Sequence, residues 1–369
     1  MKNHLLLGTR KGLIVCHRKS GGWKIGSVHF EGIPVSLAWE NPLDGTWWAC
    51  LDHGHWGVKM HRSTDRGANW QEVAAPAFPE GKEIKEGVPA TTQYLWAMSH
   101  GGADHPNRLW VGTIPGGLFL SEDNGDSFQL VESLWNHPSR SQWFGGGFDH
   151  PGIDAIFVDP RNSDRLLVSV SCGGVFESTD GGKSWQGRNK GLRADFLPDP
   201  HAEYGHDPHM MVAAPTNPDV LWQQNHCGIF RSVDGAKTWA DVSEKDGPAK
   251  FGFAMAVADD KPDQAWWCLL SAISTGWLWA SPSASAARTM AAKAGRPSAM
   301  ACPRKTPSTS CIAMPWLSPA TTWCSAPPPA TCSSQMTGEK AGRCSATTCP
   351  WCIRWALQAE LNEEKSLPF

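Results

Sequence analysis

The sequence predicts an all-β protein, a β-propeller built from four-stranded blades. Three observations predict this fold: a turn motif that recurs four times at nearly constant spacing, an apolar strand opened by glycine before each copy, and a second apolar strand before that one. Four strands per period, separated by turn residues, are typical of propeller blades arranged around a central opening. Roughly five blades are recognisable, and the pattern is disrupted after about residue 266.

The recurring motif is Ser-x-Asp-x-Gly-x-x-Trp or a close variant of it. Its serines stand 58, 57 and 54 residues apart, which is a blade-sized period. The Ser and Asp oxygens can cap backbone N–H groups in a tight turn, and glycine accepts a positive φ. The aromatic residue is expected to pack between neighbouring sheets. The motif residues are Ser63, Asp65, Gly67 and Trp70; Ser121, Asp123, Gly125 and Phe128; Ser178, Asp180, Gly182 and Trp185; and Ser232, Asp234 and Trp239.

The strands that a blade requires precede each motif. Third strands begin at Gly57, Gly117, Gly174 and Gly228, and second strands begin at Trp47, Leu109, Leu166 and Val220. Inner strands ending in Pro/Asn/Asp turns span residues 35–42, 153–160 and 211–218. The segment from Leu5 to Val15 is similar to the segment from Leu109 to Leu120, so we expect the first three strands to be the outer strands of a blade. In propellers that start this way, a C-terminal strand usually supplies the missing inner strand.

The four motifs, over residues 35 to 240, resemble the Asp-box (BNR) repeat of sialidase-like, glycosyl-hydrolase-like propellers, which share the WD40/YVTN-like repeat architecture. The resemblance implies that the motif residues are structural and that ligands bind on the opposite face, at the central opening. It does not extend to sialidase activity. The Arg-Ile-Pro motif of sialidases is absent, and the chain has only two tyrosines to serve as the nucleophile, Tyr94 and Tyr204.

Composition excludes several classes of function. Lys and Arg number 33 against 36 Asp and Glu, so no basic surface for nucleic acid is expected. The first residues lack the apolar region of a signal peptide, and no run is long and apolar enough to span a bilayer, which predicts a cytoplasmic protein without a membrane partner. Without secretion, the scattered cysteines Cys16, Cys50, Cys172 and Cys227 are expected to be reduced thiols.

The composition changes abruptly after Trp267. From Cys268 to Pro350 the chain contains no Asp, Asn, Val, Phe, Tyr or His, while eight cysteines crowd between Cys268 and Cys352. A low-complexity tail is one interpretation. A thioredoxin-like Cys349-Pro-Trp-Cys352 site is another, although no βαβ pattern surrounds it. We therefore divide the chain into propeller blades (residues 1–266) and a tail (residues 267–369) with no native fold of its own.

A slip of reading frame accounts for the tail better than either alternative. Read from the third base of each codon, residues 287–295 permit Thr-Asp-Asp-Gly-Gly-Lys-Ser-Trp, and residues 334–342 permit Ser-Asp-Asp-Arg-Gly-Glu-Ser-Trp. Residues 350–355 permit Met-Val-Tyr-Ser-Val, a suitable closing strand. Two further motifs in one shifted frame indicate a parent propeller of about seven blades, whose frame is lost near Trp266 in this chain.

Candidate functional residues lie on the face opposite the repeated motifs, in two long links and in the turns between second and third strands. Long links without regular structure are more often functional than not. The acid–base candidates are the carboxylates Asp154, Glu203 and Asp207. The candidate ligand contacts are Arg10, His55, Trp143, His150, His206, His209 and His226.

The side chains on this face allow several kinds of chemistry. The carboxylates can pair as acid and base for glycoside cleavage, with Trp143 stacking on a sugar ring. The sequence requires no cofactor, but His150, Glu203, His206 and His209 could together bind a divalent metal, because imidazole and carboxylate suit transition metals. His55 and His226 are equally well explained as turn residues with satisfied ring nitrogens.

These residues lead to two functional hypotheses. The first is a glycosyl-hydrolase-like propeller that acts on or binds a glycan or small polar ligand, inactive in the chain as written because blades are missing. The second is a non-catalytic scaffold that binds a protein or peptide partner on the same face, since the fold by itself does not determine the function.

The slip of frame predicts a specific result at the DNA level. Resequencing the coding DNA across the codons for Trp266 and Trp267 should reveal an inserted or missing base, because both additional motifs are read in the same shifted frame. An intact frame would mean that the cysteine- and tryptophan-rich tail is genuine, and that the motifs recovered from it are coincidental.

Overall fold

A computed structural model of the chain describes residues 3–243, 251–269 and 290–291. These residues form a β-propeller, a succession of antiparallel sheets in which the strands of each sheet pair in chain order. Each described inner strand contacts the inner strand of the next sheet. The predicted fold class, all-β with four-stranded blades, is therefore confirmed.

The sheets are numbered here as blades in chain order. Blade 1 contains β1 (His4–Thr9), β2 (Gly12–Lys19) and β3 (Gly22–His29). Blade 2 contains β4 (Val35–Glu40), β5 (Trp47–Asp52), β6 (Val58–Ser63) and β7 (Gln71–Val73), with a 3-10 turn at Gly54–Trp56. A hairpin of β8 (Glu83–Lys85) and β9 (Val88–Pro89) follows it. Blade 3 contains β10 (Tyr94–His100), β11 (Leu109–Ile114), β12 (Leu118–Ser121) and β13 (Gln129–Leu130).

The remaining blades follow a link that contains α1 (Glu132–Trp135) and a 3-10 helix (Pro138–Gln142). Blade 4 contains β14 (Gly152–Val158), β15 (Leu166–Ser171), β16 (Gly174–Ser178) and β17 (Gln186–Gly187). Blade 5 contains β18 (Pro208–Ala214), β19 (Asn217–Asn225), β20 (Gly228–Ser232) and β21 (Ala240–Asp241). Blade 6 contains β22 (Gly252–Val257), β23 (Gln264–Leu269) and β24 (Met290–Ala291).

The predicted strands are present, and blade 1 has the three strands expected of it. The prediction missed the inner strand of blade 3, β10, although Asp104, Pro106 and Asn107 stand in the turn that follows it. It also missed the β8–β9 hairpin and α1. The motifs and the closing strand recovered by the shift of frame lie outside the described residues, apart from Met290–Ala291, which pair with β23.

The four repeat turns, which join the third and fourth strands of blades 2 to 5, have the same hydrogen bonds. In blade 3, the Ser121 hydroxyl donates to Asp123 Oδ1 (2.7 Å) and accepts from the Gly125 amide (2.7 Å). The Ser127 amide and hydroxyl donate to the two oxygens of Asp123, at 2.9 and 2.6 Å. These bonds hold the pKa of Asp123 down to about 2. The Ser and Asp side chains of the motif are thus engaged within their own turns.

Apolar contacts join the repeat turns of blades 3 and 4 to the preceding blade. The Trp48 side chain of blade 2 lies against Gly125 of blade 3, and Trp110 of blade 3 lies against Gly182 of blade 4. The aromatic residue that ends each motif also reaches the preceding blade. Trp239, for example, donates its indole N–H to the carbonyl of Arg188 at 2.8 Å. Trp239 thus lies at the junction of blades 4 and 5.

Every described inner strand carries a β-bulge near its first residue, where pairing with the second strand shifts register. The additional residue is Ser36 in β4, Trp96 in β10, Asp154 in β14 and His209 in β18. In β22 the shift falls between Gly252 and Met255. A bulge leaves one residue outside the ladder and redirects its side chain. The bulges therefore set apart one position per blade on the face opposite the repeat turns.

The scattered cysteines Cys16, Cys50, Cys172 and Cys227 are free thiols, as expected. Among the described residues, no helix has the length and apolar character needed to cross a membrane.

Replacing a repeat-turn glycine tests the packing between blades. Gly125 has φ +83°, and a Cβ there would lie 2.5 Å from the Trp48 ring. We expect Gly125→Ala to lower the free energy of unfolding by about 2 kcal/mol or more, because left-handed backbone costs other residues about 1–2 kcal/mol and Trp48 must also move. Urea unfolding of the full chain measures the change.

Gly81→Ala is the matched control, since Gly81 also has a positive φ (+78°) but its Cβ would meet no atom within 4 Å. Only the backbone cost of about 1 kcal/mol should then appear. Equal losses in the two variants would mean that contact with Trp48 contributes nothing.

Candidate functional site

The turns between second and third strands all lie on one face, because antiparallel strands alternate in direction. This face is opposite the repeat turns. It carries Arg10, His55, Cys172 and His226, each from a different blade. The links that lead into the inner strands arrive on the same face, and they bring Asp207 and the bulge residues Asp154 and His209 close to these turns.

Asp207 is the centre of a buried polar cluster. Its Oδ1 accepts hydrogen bonds from the Ser171 hydroxyl (2.8 Å) and the Cys172 amide (3.1 Å). Its Oδ2 lies 3.2 Å from His209 Nε2 and 3.3 Å from His226 Nδ1. We call Asp207, His209 and His226 the histidine–aspartate cluster. One carboxylate thus links the second-to-third-strand turns of blades 4 and 5.

His209 is held from both sides of its ring. Its Nδ1 lies 2.6 Å from the carbonyl oxygen of Gly252, at the start of the inner strand of blade 6. The ring stacks on Phe253 at 4.5 Å between centroids and meets Phe251 edge-on. His226 differs because 41% of its side chain is exposed, so it is the accessible member of the cluster.

Asp154 is the other carboxyl group near this cluster. It is buried, the Ser169 hydroxyl donates a hydrogen bond to its Oδ1, and its Oδ2 has no hydrogen-bond partner among the described residues. Burial, reinforced by the charge of Asp207, raises the pKa of Asp154 well above its usual value.

The pKa of Asp207 is shifted in the opposite direction. Burial alone would raise it, but the charge of His209 and hydrogen bonds from His209, His226 and Ser171 outweigh burial and hold it well below the usual carboxyl range. The pKa values of these two neighbouring carboxyl groups are thus shifted in opposite directions, as they are in acid–base pairs.

Glu203 is not brought to this cluster. Its carbonyl accepts a hydrogen bond from Asn189 Nδ2. Burial, together with the Glu203 carboxylate, raises the pKa of the neighbouring Tyr204. Glu203 also lines a separate cavity of about 380 Å³. That cavity lies beside the outer strand of blade 4. Its lining residues are Gly187, Asn189, Lys190, Gly191, Leu192, His201, Ala202 and Glu203.

His206 also points away from the cluster. It is fully buried, and its Nε2 lies 2.7 Å from the carbonyl of Ala202. Burial lowers its pKa. Of the metal-binding set expected from the sequence, only His209 belongs to the group of side chains close enough together to hold an ion, which is Asp207, His209 and His226 among the described residues. His150, Glu203 and His206 lie outside that group. Adjacent residues of an extended segment point in opposite directions, which explains why Asp207 and His206 separate.

Trp143 lies in the core of blade 4 and is only 7% exposed. Its indole N–H donates to the Ser139 hydroxyl (3.1 Å), and its ring packs on Phe176. This corrects the expectation that it stacks on a sugar, because protein atoms cover its faces. Arg10 and His55 are exposed on the expected face, and His150 is half-buried just before β14.

Sequence reasoning missed two exposed aromatic residues next to the cluster. Phe196, 42% exposed, meets the His226 ring edge-on at 5.2 Å, and Phe144 meets Phe196 at 6.1 Å. Gly146, in the glycine run after Phe144, lies beside the cluster, since a Cβ on it would come within 3.7 Å of Asp207 Oδ2. The three consecutive glycines were the available signal, because such runs occur where backbone must approach other groups closely.

The fold and the site together define a β-propeller with a polar cluster on one face. No family model matches the chain. Over 125 residues it is 30% identical to a probable oligoxyloglucan-reducing end-specific xyloglucanase of Neosartorya fischeri, covering 34% of this chain and 13% of that protein. Over 172 residues it is 22% identical to a xyloglucanase of Hypocrea jecorina, covering 42% and 20%. The chain thus spans a fifth or less of these curated relatives, to which it has distant sequence similarity.

Solved structures similar to the chain include other propellers. An ancestral GH74 enzyme has a TM-score of 0.44 at 16% identity, covering 69% of this chain and 34% of that one. A GH74 xyloglucanase from Xanthomonas campestris also has a TM-score of 0.44, at 15% identity and with 73% and 49% covered. YCF48 bound to D1 peptide has a TM-score of 0.35 at 13% identity, with 75% and 91% covered.

The raised pKa of Asp154 predicts how stability depends on pH. The folded state holds a proton that the unfolded state releases near pH 4, so Asp154 destabilises the fold progressively as the pH rises above that value. Asp154→Asn cannot titrate. Its urea midpoint, compared with that of the original chain, should therefore rise between pH 4 and pH 7. A difference that does not change with pH would contradict the assignment.

Proposed function

We propose that this chain derives from a glycosyl-hydrolase-like propeller that acts on or binds a glycan or small polar ligand at the face opposite the repeat turns. The observation that carries the proposal is the convergence of Asp154, Asp207, His209 and His226 at that face, beside exposed aromatic rings. Distant sequence similarity to two xyloglucanases supports it.

The pKa shifts of the two carboxyl groups have the directions that glycoside cleavage requires. Hydrolysis needs one protonated carboxyl group to donate to the leaving oxygen and one ionised carboxylate on the other side of the bond. In the proposal, Asp154 is the proton donor and Asp207 is the ionised partner. Their opposite pKa shifts support this assignment. Glu203 is set aside as an acid–base residue, because its contacts lie around the other cavity.

Ligand contacts in the proposal come from the exposed part of the same face. Phe196 and Phe144 provide the apolar ring surface first assigned to Trp143, and His226 provides a polar contact at their edge. Arg10, His55 and His150 complete the polar rim around the opening. Gly146 lies close to Asp207, so a ligand that reaches this carboxylate must pass beside the glycine run.

The chain as written should have little or no catalytic activity in this proposal. The blades expected beyond Trp266 would complete the wall of the opening, and the frameshifted tail does not encode them. Ligand contacts within blades 4 to 6 are nevertheless present, so we expect binding to persist more readily than turnover.

A second candidate is a scaffold that binds a protein or peptide partner on this face. Exposed apolar rings favour it, namely Trp56 beside His55 in blade 2 and Phe196 beside Phe144. Apolar patches rimmed by polar residues mark protein interaction sites as well as ligand grooves.

Glycan binding can be tested by calorimetry with xyloglucan oligosaccharides and a wider set of glycans. We expect the full chain to bind an oligosaccharide, and we expect Phe196→Ala to weaken binding about tenfold, since an aromatic contact is worth about 0.5–1.5 kcal/mol and 1.4 kcal/mol is a factor of ten. Asp154→Asn should abolish turnover of aryl glycosides by a frame-restored chain.

Val233→Ala is the matched control, because Val233 is 60% exposed but lies on the repeat-turn face. Its affinity should equal that of the original chain. If no glycan binds to chains whose circular dichroism shows intact strands, the glycan proposal fails. A peptide that binds and is released by Phe196→Ala would then favour the scaffold.

A further inference from the structure

The histidine–aspartate cluster poses an electrostatic problem in its buried setting. A neutral imidazole has one nitrogen that donates a hydrogen bond and one that accepts. In His209, the Nδ1 atom lies 2.6 Å from the Gly252 carbonyl, so Nδ1 must carry the proton. The Nε2 lone pair of a neutral ring then faces an oxygen of the ionised Asp207 at 3.2 Å. Two acceptors at that distance repel each other unless a cation lies between them.

His226 adds a third potential donor atom at the same point. Its Nδ1 lies 3.3 Å from the same oxygen, Asp207 Oδ2. The three atoms, one from each residue, all lie within 4.8 Å of one another. Protons alone would meet the requirement with His209 as an imidazolium ion paired with Asp207 and a neutral His226 donating through Nδ1. A metal ion is the alternative that engages all three atoms at once.

The spacing of these atoms fits a metal ion. Ligand atoms 2.0–2.1 Å from one tetrahedral ion lie about 3.3 Å apart. The distances from Asp207 Oδ2 to the two imidazole nitrogens are 3.2 and 3.3 Å, which match the separation of neighbouring ligand atoms around one such ion.

The groups around the cluster hold its side chains by the hydrogen bonds that usually orient metal ligands. A metal-binding histidine usually donates its other ring N–H to a carbonyl or carboxylate, and His209 does so to Gly252. A metal-binding carboxylate is usually hydrogen-bonded through its other oxygen, and Asp207 Oδ1 accepts from Ser171 and Cys172. Phe251 and Phe253 flank the His209 ring and limit access of water.

We propose that Asp207, His209 and His226 form a binding site for one divalent transition-metal ion on the face opposite the repeat turns. The site would use Asp207 Oδ2, His209 Nε2 and His226 Nδ1. Two imidazoles and one carboxylate suit zinc and neighbouring first-row ions, whereas calcium and magnesium prefer all-oxygen sites. The exposed side of His226 leaves open positions toward the surface.

Metal content is independent of whether the chain binds glycans. The full chain is stripped with a chelator, given zinc, passed through a desalting column and analysed for its elements. Since the cysteine-rich tail can also bind zinc, the informative quantity is the difference between variants. We expect His226→Gln and His209→Gln each to lose one equivalent of zinc per chain.

His105→Gln is the matched control. His105 is a partly exposed histidine on the repeat-turn face, paired with Asp164 and remote from the cluster. It should retain the zinc content of the original chain. His226→Gln is the main variant, because its partly exposed ring can be replaced with the least disturbance of folding, which circular dichroism checks.

Cobalt provides a second, independent readout. Co²⁺ bound by nitrogen and oxygen ligands shows d–d absorption without the thiolate charge-transfer bands that cysteine ligands produce. The original chain should show a d–d component that His226→Gln lacks while thiolate bands from the tail are unchanged. If His226→Gln, His209→Gln and the original chain bind equal amounts of both metals, or if none of them binds metal, the site is an ion-pair cluster and the proposal is overturned.

Discussion

Each blade of this propeller is covered by its neighbours, and the rest of the structure depends on that packing. The key contact is the large aromatic side chain of one second strand against the repeat-turn glycine of the next blade, as with Trp48 on Gly125 and Trp110 on Gly182. Hydrogen bonds also run from one blade to the repeat turn of the next, since Arg62 donates to the Asn124 carbonyl and Arg165 to the Gly235 carbonyl. A blade is thus positioned mainly by the blade before it.

The candidate site exists only because three blades are held in this way. Ser171 and Cys172 belong to blade 4, His209 and His226 to blade 5, and Gly252 to blade 6, while Asp207 lies in the link between the first two. No single blade contains the hydrogen-bond partners of Asp207. The precision of the cluster therefore depends on the angle between successive sheets, which the repeat turns on the other face determine.

Sequence reasoning predicted the parts of the structure that repeat. Every repeat turn follows the same local rule, so Ser121 and Asp123 could be assigned from spacing and turn chemistry alone. The face that holds the site also followed from the alternation of strands. Side-chain directions in the links did not follow, because links have no period: His206 and Trp143 point into the protein, and Glu203 faces another cavity. Asp207 and His226 are adjacent only in three dimensions, and the sequence carries no fixed spacing that would pair them.

The bulges lie at equivalent positions of the inner strands, and they affect how the specificity of such a molecule can evolve. Each bulge releases one side chain from strand pairing, and those side chains are as different as Ser36, Trp96, Asp154 and His209. Substitution at these points leaves the residue pairs of the ladder unchanged, because the bulge residues take no part in that pairing. The chemistry of this face can therefore change while the fold is kept, and one propeller can acquire a new specificity through a few substitutions at the bulge positions.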